Sequence, residues 1–496
     1  MEIFSGLLKG FSVALTPVNL ASCLIGVLVG TMVGVLPGLG PAAAIALLLP
    51  VTFGLDTSTA LILLAGIYYG AMYGGSTTSI LVNIPGEAAS VVTCLDGYQM
   101  AKQGRAGPAL GIAAFGSWIA GTIGTAGLMI LAPWLGRAAL RFGPPEFVAV
   151  LFCAFAILIY LAGGSFLKAT LSCALGLFLG VIGIDSISGV PRFTFGSLTL
   201  MDGVGLVPLV MGLFGIAEVL ENIELSLRRE IYSAKISYLL PRLSDWKRSA
   251  GPIARGTVLG FFLGILPGGG AVISSFASYA LEKRISKHPE EFGKGAIEGV
   301  AGPETANNAA TSGAFVPLMT LGIPANAVMA LMLGALLIHG VQPGPLMLQK
   351  HPEVFWGVVA SMYIGNVMLL VLNLPLIGVW VQLLKVPYRV LFPLILLFCL
   401  VGAYSVNNNL DDVLIMLVFG VGGYLMRKFE YEPAPMVFAF VLSGLFETSF
   451  RQSLLMSGGN FLIFFARPIS VVFVVAGFCL LLLPLVGRRL PGEVRG

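Results

Sequence analysis

The chain has 496 residues, of which 57% are hydrophobic and 10% charged, and its formal net charge is +4. Soluble domains carry roughly a quarter charged residues, so a mean hydropathy of +0.94 excludes a soluble domain and defines an integral membrane protein. Apolar stretches long enough to cross a bilayer recur from the first fifty residues to the last, which predicts an all-α polytopic fold of about ten to twelve membrane segments.

The opening stretch MEIFSGLLKGFSVALTPVNL has no charged region followed by an A-x-A-like site, so no cleaved signal peptide is expected. The segment at 23–54 then breaks an apolar run with GTMVGVLPGLGPA (30–42). Its Gly30, Gly34, Pro37, Gly38 and Gly40 recur at one constant spacing as Gly260, Gly264, Pro267, Gly268 and Gly270 in GFFLGILPGGGAV (260–272). Residues 70–91 run Gly-, Ser- and Thr-rich sequence into an Ile-Pro step at Pro85, read as a broken segment at membrane depth. Ordinary apolar helices follow over 109–136, 145–163 and 166–183. The polar stretch 221–255 carries seven Lys and Arg near the midpoint, and the positive-inside tendency makes it a cytoplasmic linker. A helix lying on the membrane surface is the alternative for its middle.

Beyond the linker, 253–266 and 268–281 are two apolar pieces. Each is about 21 Å long at ~1.5 Å per residue, short of the ~30 Å hydrocarbon core. The next loop, EKRISKHPEEFGK (282–294), is basic again. The two pieces therefore read as a re-entrant hairpin with Pro267, Gly268, Gly269 and Gly270 at its tip. The matching segment of the first half has only Lys9 upstream and Asp56 just downstream, so its hairpin is expected to point the other way. Opposed hairpins define two inverted-topology repeats, a common architecture of secondary transporters. The halves are 1–220 and 256–496, joined by the linker 221–255. In the second half 299–328 mirrors 70–91 as far as an Ile-Pro step at Pro324, with apolar helices over 354–373, 388–406, 411–426 and 466–487.

Broken helices survive in hydrocarbon only where they line protein or a wet cavity, so paired breaks mark a site. Freed helix N-termini suit an anion, and freed carbonyls and hydroxyls suit a small hard cation. The candidate substrate-binding residues are Pro37, Gly38, Gly40, Ser76, Thr77, Thr78, Ser79, Asn83, Pro267, Gly268, Gly269, Gly270, Thr311 and Ser312. No Lys or Arg falls inside 23–54, 70–91, 256–281 or 299–328, which points to backbone N–H groups and hydroxyls as the anion's partners. For cation coupling the candidates are Glu304, Asn307 and Asn308 in PETANN, with carbonyls freed near Pro303, and Glu87 at the mirrored break. The competing reading of the Gly/Ser/Thr clusters is close helix packing, and it is preferred for Gly26, Gly30, Gly34, Gly256, Gly260 and Gly264. Each acid, Glu218 and Glu447 included, has capping or interfacial placement as its alternative. His339 is read as structural.

Chemistry of other kinds is poorly represented. The six cysteines are scattered singly, without a CxxC or Cys/His cluster, so neither a disulfide framework nor a metal site is expected. No HExxH, Asp-rich or Gly-x-Gly-Asp motif supports an enzyme, no cofactor is implied, and no basic, aromatic-laced face offers itself to nucleic acid.

The long runs GVLPGLGPAAAIALLLPVTFGLDTSTALILLAGIYYGAMYGGSTTSILVNIPGEAASVVTCLDGYQMAKQGRAGPAL and GILPGGGAVISSFASYALEKRISKHPEEFGKGAIEGVAGPETANNAATSGAFVPLMTLGIPANAVMALMLGALLIHGVQPGP resemble the large membrane subunit (TctA-type) of the tripartite tricarboxylate transporters. The likeness covers nearly the whole chain. It departs at Ala325, where the family more often has Gly. The resemblance implies a multi-pass secondary transporter of the bacterial inner membrane that takes up a small di- or tricarboxylate by symport with Na+ or H+. It implies two partners, a periplasmic carboxylate-binding protein and a small membrane subunit of about four helices. The Pro-Gly kinks would then be hairpin tips meeting around one carboxylate. A passive anion channel on the same inverted repeat and a membrane enzyme acting on a lipid-linked substrate are the alternatives.

Overall fold

The computed structural model describes residues 2–36, 39–162, 165–185, 187–225, 239–268, 270–384 and 388–487. Pro37, Gly38 and Gly269 of the expected hairpin tips, and 226–238 in the middle of the linker, lie outside the described residues. In chain order the helices are α1 (Glu2–Ala14), α2 (Pro17–Val35), α3 (Pro41–Leu48), α4 (Thr57–Val82), α5 (Val91–Lys102), α6 (Ala106–Ala139), α7 (Pro144–Leu161) and α8 (Phe166–Gly180). A short antiparallel pair, β1 (Gly183–Ile184) and β2 (Pro191–Arg192), precedes α9 (Leu206–Val210), a π-helical stretch (Met211–Ile216) and α10 (Ala217–Leu225). Then come α11 (Leu243–Ile265), α12 (Gly270–Ile285), α13 (Glu298–Leu321), α14 (Ala327–Ile338), α15 (Met347–Lys350), α16 (Pro352–Asn373) and α17 (Ile377–Leu383). The chain closes with α18 (Tyr388–Asn407), α19 (Leu410–Lys428), α20 (Pro433–Met456), α21 (Ile463–Ala466) and α22 (Pro468–Gly487).

Among the described residues, six helical stretches are long and apolar enough to cross a membrane by length and composition: α2, α6, α7, Leu206–Glu224, α16 and α20. Large apolar side chains on several helices face outward in register, such as Ile123, Ile130 and Trp134 on α6 and Val367 and Val371 on α16. An apolar exterior of this kind suits hydrocarbon rather than water. The fold is all-α and multi-pass.

Contacts divide the chain into two compact units: Met1–Gly136 with Val207–Leu266 and Gly270–Tyr424, and Arg137–Leu206 with Pro267–Gly269 and Leu425–Gly496. In the first unit α2 packs on α4, and α11 packs on α13 in the same manner. A Cβ added to Gly26, Gly30 or Gly34 would overlap the carbonyl oxygens of Leu63, Ile67 and Ala71. One at Gly256, Gly260 or Gly264 would overlap those of Gly302, Ala306 and Ala310. Glycine at every fourth position thus lets backbone touch backbone, which is how helices gain packing energy where no hydrophobic effect drives them together. The packing reading of these glycines holds.

The wrapped helices differ from the sequence expectation. Residues 70–82 and 299–321 were expected to be broken, yet α4 and α13 run through them without interruption, and the breaks start only at Asn83 and Gly322. Everything from Ser58 to Val82 is buried, and so is everything from Gly299 to Thr320. Surrounded by protein, these helices need no apolar surface, and their hydroxyls and amides bond to neighbouring elements instead. Pro303 and Pro317 sit inside α13. The carbonyl of Pro303, expected to be free for a cation, accepts the Ser275 hydroxyl at 3.3 Å.

Asp96 on α5 fixes how the chain enters α13. Its Oδ1 accepts the backbone N–H groups of Gly293, Gly295 and Ala296, each at 2.8 Å, and its Oδ2 accepts the Tyr279 hydroxyl at 2.9 Å.

In the second unit α20 lies against α7 and α8, with Gly176 facing the Met436 carbonyl and Phe155 edge-on to Phe438 and Phe446. Arg192 grips Glu447 with two nitrogens at 2.7 and 3.2 Å, and Arg451 reaches Asp185 at 2.7 Å. The backbone N–H groups of Ser188 and Ile187, together with Arg451, hold the Asp185 carboxyl well below the usual carboxylate range. Glu447 is therefore an ion-paired structural acid. Gly268 takes a φ of 100° against Leu158 and Leu161 of α7, a backbone conformation that other residues adopt only under strain.

The ladder gives a direct test. Gly30→Ala and Gly260→Ala force carbon onto a neighbouring carbonyl, and overpacking of this kind costs ~1–3 kcal/mol. Both should lower the unfolding midpoint of the detergent-solubilised protein. Gly40→Ala, where a Cβ would meet nothing within 4 Å, should leave it unchanged.

Candidate functional site

The interval that carries Leu63, Ile67 and Ala71 onto Gly302, Ala306 and Ala310 continues along both helices. It carries Tyr68 onto Asn307, Asn83 onto Gly322, the Ile-Pro step at Pro85 onto that at Pro324, and Glu87 onto Asn326. Asn83 and Gly322 end α4 and α13 alike, both left-handed, with φ of 58° and 69°. Left-handed closure satisfies helix carbonyls and needs Gly or Asn. After each Ile-Pro step an extended residue caps the next helical turn. The Glu87 side chain accepts the Ala89 N–H at 2.6 Å, and that of Asn326 accepts the Met329 N–H at 2.9 Å.

Each cap also reaches across to the other half. The Asn307 amide on α13 donates to Glu87 Oε1 at 3.1 Å, and the Asn326 amide donates to the Tyr68 hydroxyl on α4 at 2.9 Å. These two bonds exchange under the repeat, as contacts do across a two-fold axis. Where they meet, α4 and α13 run antiparallel: Tyr68 faces Phe315 at 6.4 Å, while Ser76, further along α4, bonds Glu304, further back along α13.

Glu304 is the centre of the polar cluster. It is 1% exposed, and its two carboxyl oxygens accept the hydroxyls of Ser76 and of Thr93 on α5. Asn308 donates to Ser117 on α6 at 2.7 Å and to the Glu304 carbonyl at 3.1 Å. Asn307 Oδ1 is buried without a partner. Neither Glu87 nor Glu304 has a Lys or Arg partner among the described residues. Two buried carboxyls so placed call for a cation or a proton, because an uncompensated buried charge is costly.

Several expected substrate ligands are otherwise engaged. The Thr78 hydroxyl donates to the Val35 carbonyl at 2.6 Å, closing the end of α2. Ser79 donates to Ser90 at 2.9 Å, and Thr311 to the Asn307 carbonyl at 3.1 Å. Asn83 is exposed, Ser312 is buried, and Gly40 and Gly270 stand at the N-terminal ends of α3 and α12. His339 sits at the end of α14, 3.4 Å from the Thr52 hydroxyl, and Glu218 accepts the Asn222 amide at 3.3 Å. So Ser76, Glu304, Asn307, Asn308 and Glu87 come together, and the remaining hydroxyls do not form one open anion site with them. Sequence reasoning missed Thr93, Ser117, Tyr68 and Asn326. Asn326 was within reach, because the repeat interval leads to it directly from Glu87.

These features define a polytopic all-α membrane protein with a duplicated glycine-packed core and a buried acidic cluster. Residues 20–438 match the tripartite tricarboxylate transporter TctA family, and the chain belongs to that family. It is 50% identical over 486 residues to an "uncharacterized 52.8 kDa protein in TAR-I ttuC' 3'region" of Agrobacterium vitis, covering 98% of this chain and 97% of that protein. It is 51% identical over 227 residues to an "uncharacterized protein in TAR-II ttuC' 3'region" of the same organism, covering 46% of this chain and 94% of that protein. No solved structure matches.

Ser76→Ala and Thr93→Val each remove a hydroxyl from the buried Glu304 carboxyl. Each should cost ~1.5–3 kcal/mol, read from unfolding midpoints in detergent. The double variant should depart from the sum, since both bonds end on one carboxyl.

Proposed function

We propose that this chain is the large membrane subunit of a secondary transporter that imports a small di- or tricarboxylate into bacteria across the inner membrane. In this reading a periplasmic binding protein delivers the carboxylate, a small membrane subunit of about four helices accompanies this one, and a Na+ or H+ gradient drives uptake. The observation that carries it is the Glu87–Asn307–Glu304 cluster, placed where two symmetry-like helix ends cross. Coupling needs a place where a cation binds better when substrate is present, a reciprocal free energy between two sites. Two buried carboxyls without basic partners form such a place, since their charge depends on what enters beside them. The breaks after Asn83 and Gly322 flank it, and broken helices in paired positions are where transporters bind substrate and ion.

The exchanged contacts of the antiparallel α4 and α13 support an inverted-topology repeat. A two-fold axis that reverses helix direction lies in the membrane plane when those helices run across the bilayer. Rocking of one repeat against the other then exposes the cluster to each side in turn. With the basic linker in the cytoplasm, a cysteine at position 287 on a cysteine-free background should react with an impermeant maleimide only from the cytoplasmic side. Labelling from the periplasm alone rules this topology out.

The transport reading is tested with the complete complex in proteoliposomes, using a panel of carboxylates under separate Na+ and pH gradients. Uptake of at least one should follow one gradient. Glu304→Gln should raise the ion concentration for half-maximal uptake roughly tenfold or more, about 1.4 kcal/mol. Wild-type ion dependence in Glu304→Gln and in Glu87→Gln would remove the cluster from the coupling role.

A further inference from the structure

In the first unit a cavity of about 10 Å³ is lined by Tyr73, Ser76 and Thr77 of α4, Leu110 and Ser117 of α6, and Asn373 at the end of α16. Roughly 10–15 Å³ is the space one water-sized particle needs, so a carboxylate is far too large for it. Five oxygen-bearing side chains share the wall with Leu110, Ala113 and Ala114, and two of those oxygens have already given their protons away. Ser76 donates to Glu304, and Tyr73 donates to Asn366 Oδ1 at 3.3 Å. The amide nitrogen of Asn373 donates to the Leu369 carbonyl at 3.0 Å, which leaves its Oδ1 as the free end. That oxygen is buried without a partner on a residue only 4% exposed.

A buried acceptor of this kind needs a donor or a cation. A water molecule wants donors for its own lone pairs as well as acceptors for its hydrogens. Three of the oxygens here offer acceptance only, and a bare cation asks for nothing else. The Glu304 carboxyl, one hydroxyl away through Ser76, supplies the negative charge that offsets the cost of dehydrating such an ion. No nitrogen or sulfur ligand lines the cavity, which disfavours transition metals, and its size admits a single small ion.

We propose that this cavity is a Na+ site formed by Asn373 Oδ1 and the hydroxyl oxygens of Tyr73, Ser76, Thr77 and Ser117. Its occupancy is linked to the Glu87–Asn307–Glu304 cluster by two bonds, Ser76 to Glu304 and Asn308 to Ser117. The linkage to transport rests on the function proposed above, but the binding itself does not, and is measured without substrate or gradient.

The test uses the purified full-length protein in detergent. Unfolding midpoints are read in NaCl, KCl and choline chloride at equal ionic strength, with binding of radiolabelled Na+ by scintillation proximity as the second readout. A ligand that binds only the folded state raises the midpoint with its concentration. Na+ alone should raise it, and labelled Na+ should be displaced by unlabelled Na+ and not by K+. Asn373→Leu and Ser117→Ala should abolish both signals; the midpoint in KCl should stay near wild type in Asn373→Leu, while Ser117→Ala lowers it by stripping the buried Asn308 amide of an acceptor. Ser172→Ala, which removes a buried unpartnered hydroxyl outside the cavity wall, should keep both. Equal midpoints in NaCl and KCl with no labelled Na+ bound would mean that the cavity holds water only, and would overturn the site. Na+ binding that survives in both cavity variants would place the ion elsewhere and overturn it equally. In either of these outcomes, gradient-driven uptake by the wild-type complex would leave the transport reading standing while this site falls.

Discussion

The carbonyl oxygens of Leu63, Ile67 and Ala71 touch the glycine face of α2, and those of Gly302, Ala306 and Ala310 touch that of α11. No side chain intervenes, so each pair is held at the closest approach two helices permit. Covering α4 and α13 in this way takes them out of contact with lipid. Only then can they carry Ser, Thr, Asn and Glu along their length, because each such group finds its partner inside protein. The polar cluster is thus a consequence of the glycine ladders and could not exist on helices facing hydrocarbon.

Within that enclosure the two repeated segments are alike in backbone and unlike in charge. The repeat puts Glu87 where the other half has Asn326, and Asn307 where the other has Tyr68. One crossing bond therefore ends on a carboxyl and its counterpart on a phenol. Glu304 lies on the same side as Glu87, so the acidity is concentrated at one of two equivalent positions. This asymmetry gives a duplicated scaffold a single charged centre.

Much of the architecture was legible in the chain. Hydropathy gave the membrane class, and the helices expected over 109–136, 145–163 and 166–183 correspond to α6, α7 and α8. Proline and glycine marked the interruptions between α2 and α3 and between α11 and α12, which depend on local backbone chemistry. What was misread depends on surroundings. Gly- and Pro-rich stretches normally interrupt helices, yet α4 and α13 persist because their neighbours enclose them. The helix α20 is hard to see in the sequence because Glu447 and Arg451 dilute its hydropathy, and both are ion-paired with residues far off in sequence. Thr93, Ser117 and Asn373 carry no signal of their own, since nothing local says which hydroxyl or amide will face Glu304 or the cavity.

The exchanged bonds also set an order of assembly. Glu87 and Tyr68 are made well before the amides that reach them, which belong to Asn307 and Asn326. Neither segment makes these two crossing bonds alone, so the first stays partly paired until the second is made. Chains of this size fold through such intermediates. A chain cut at the linker would consequently have to bring both fragments into the same membrane before either reached its final packing.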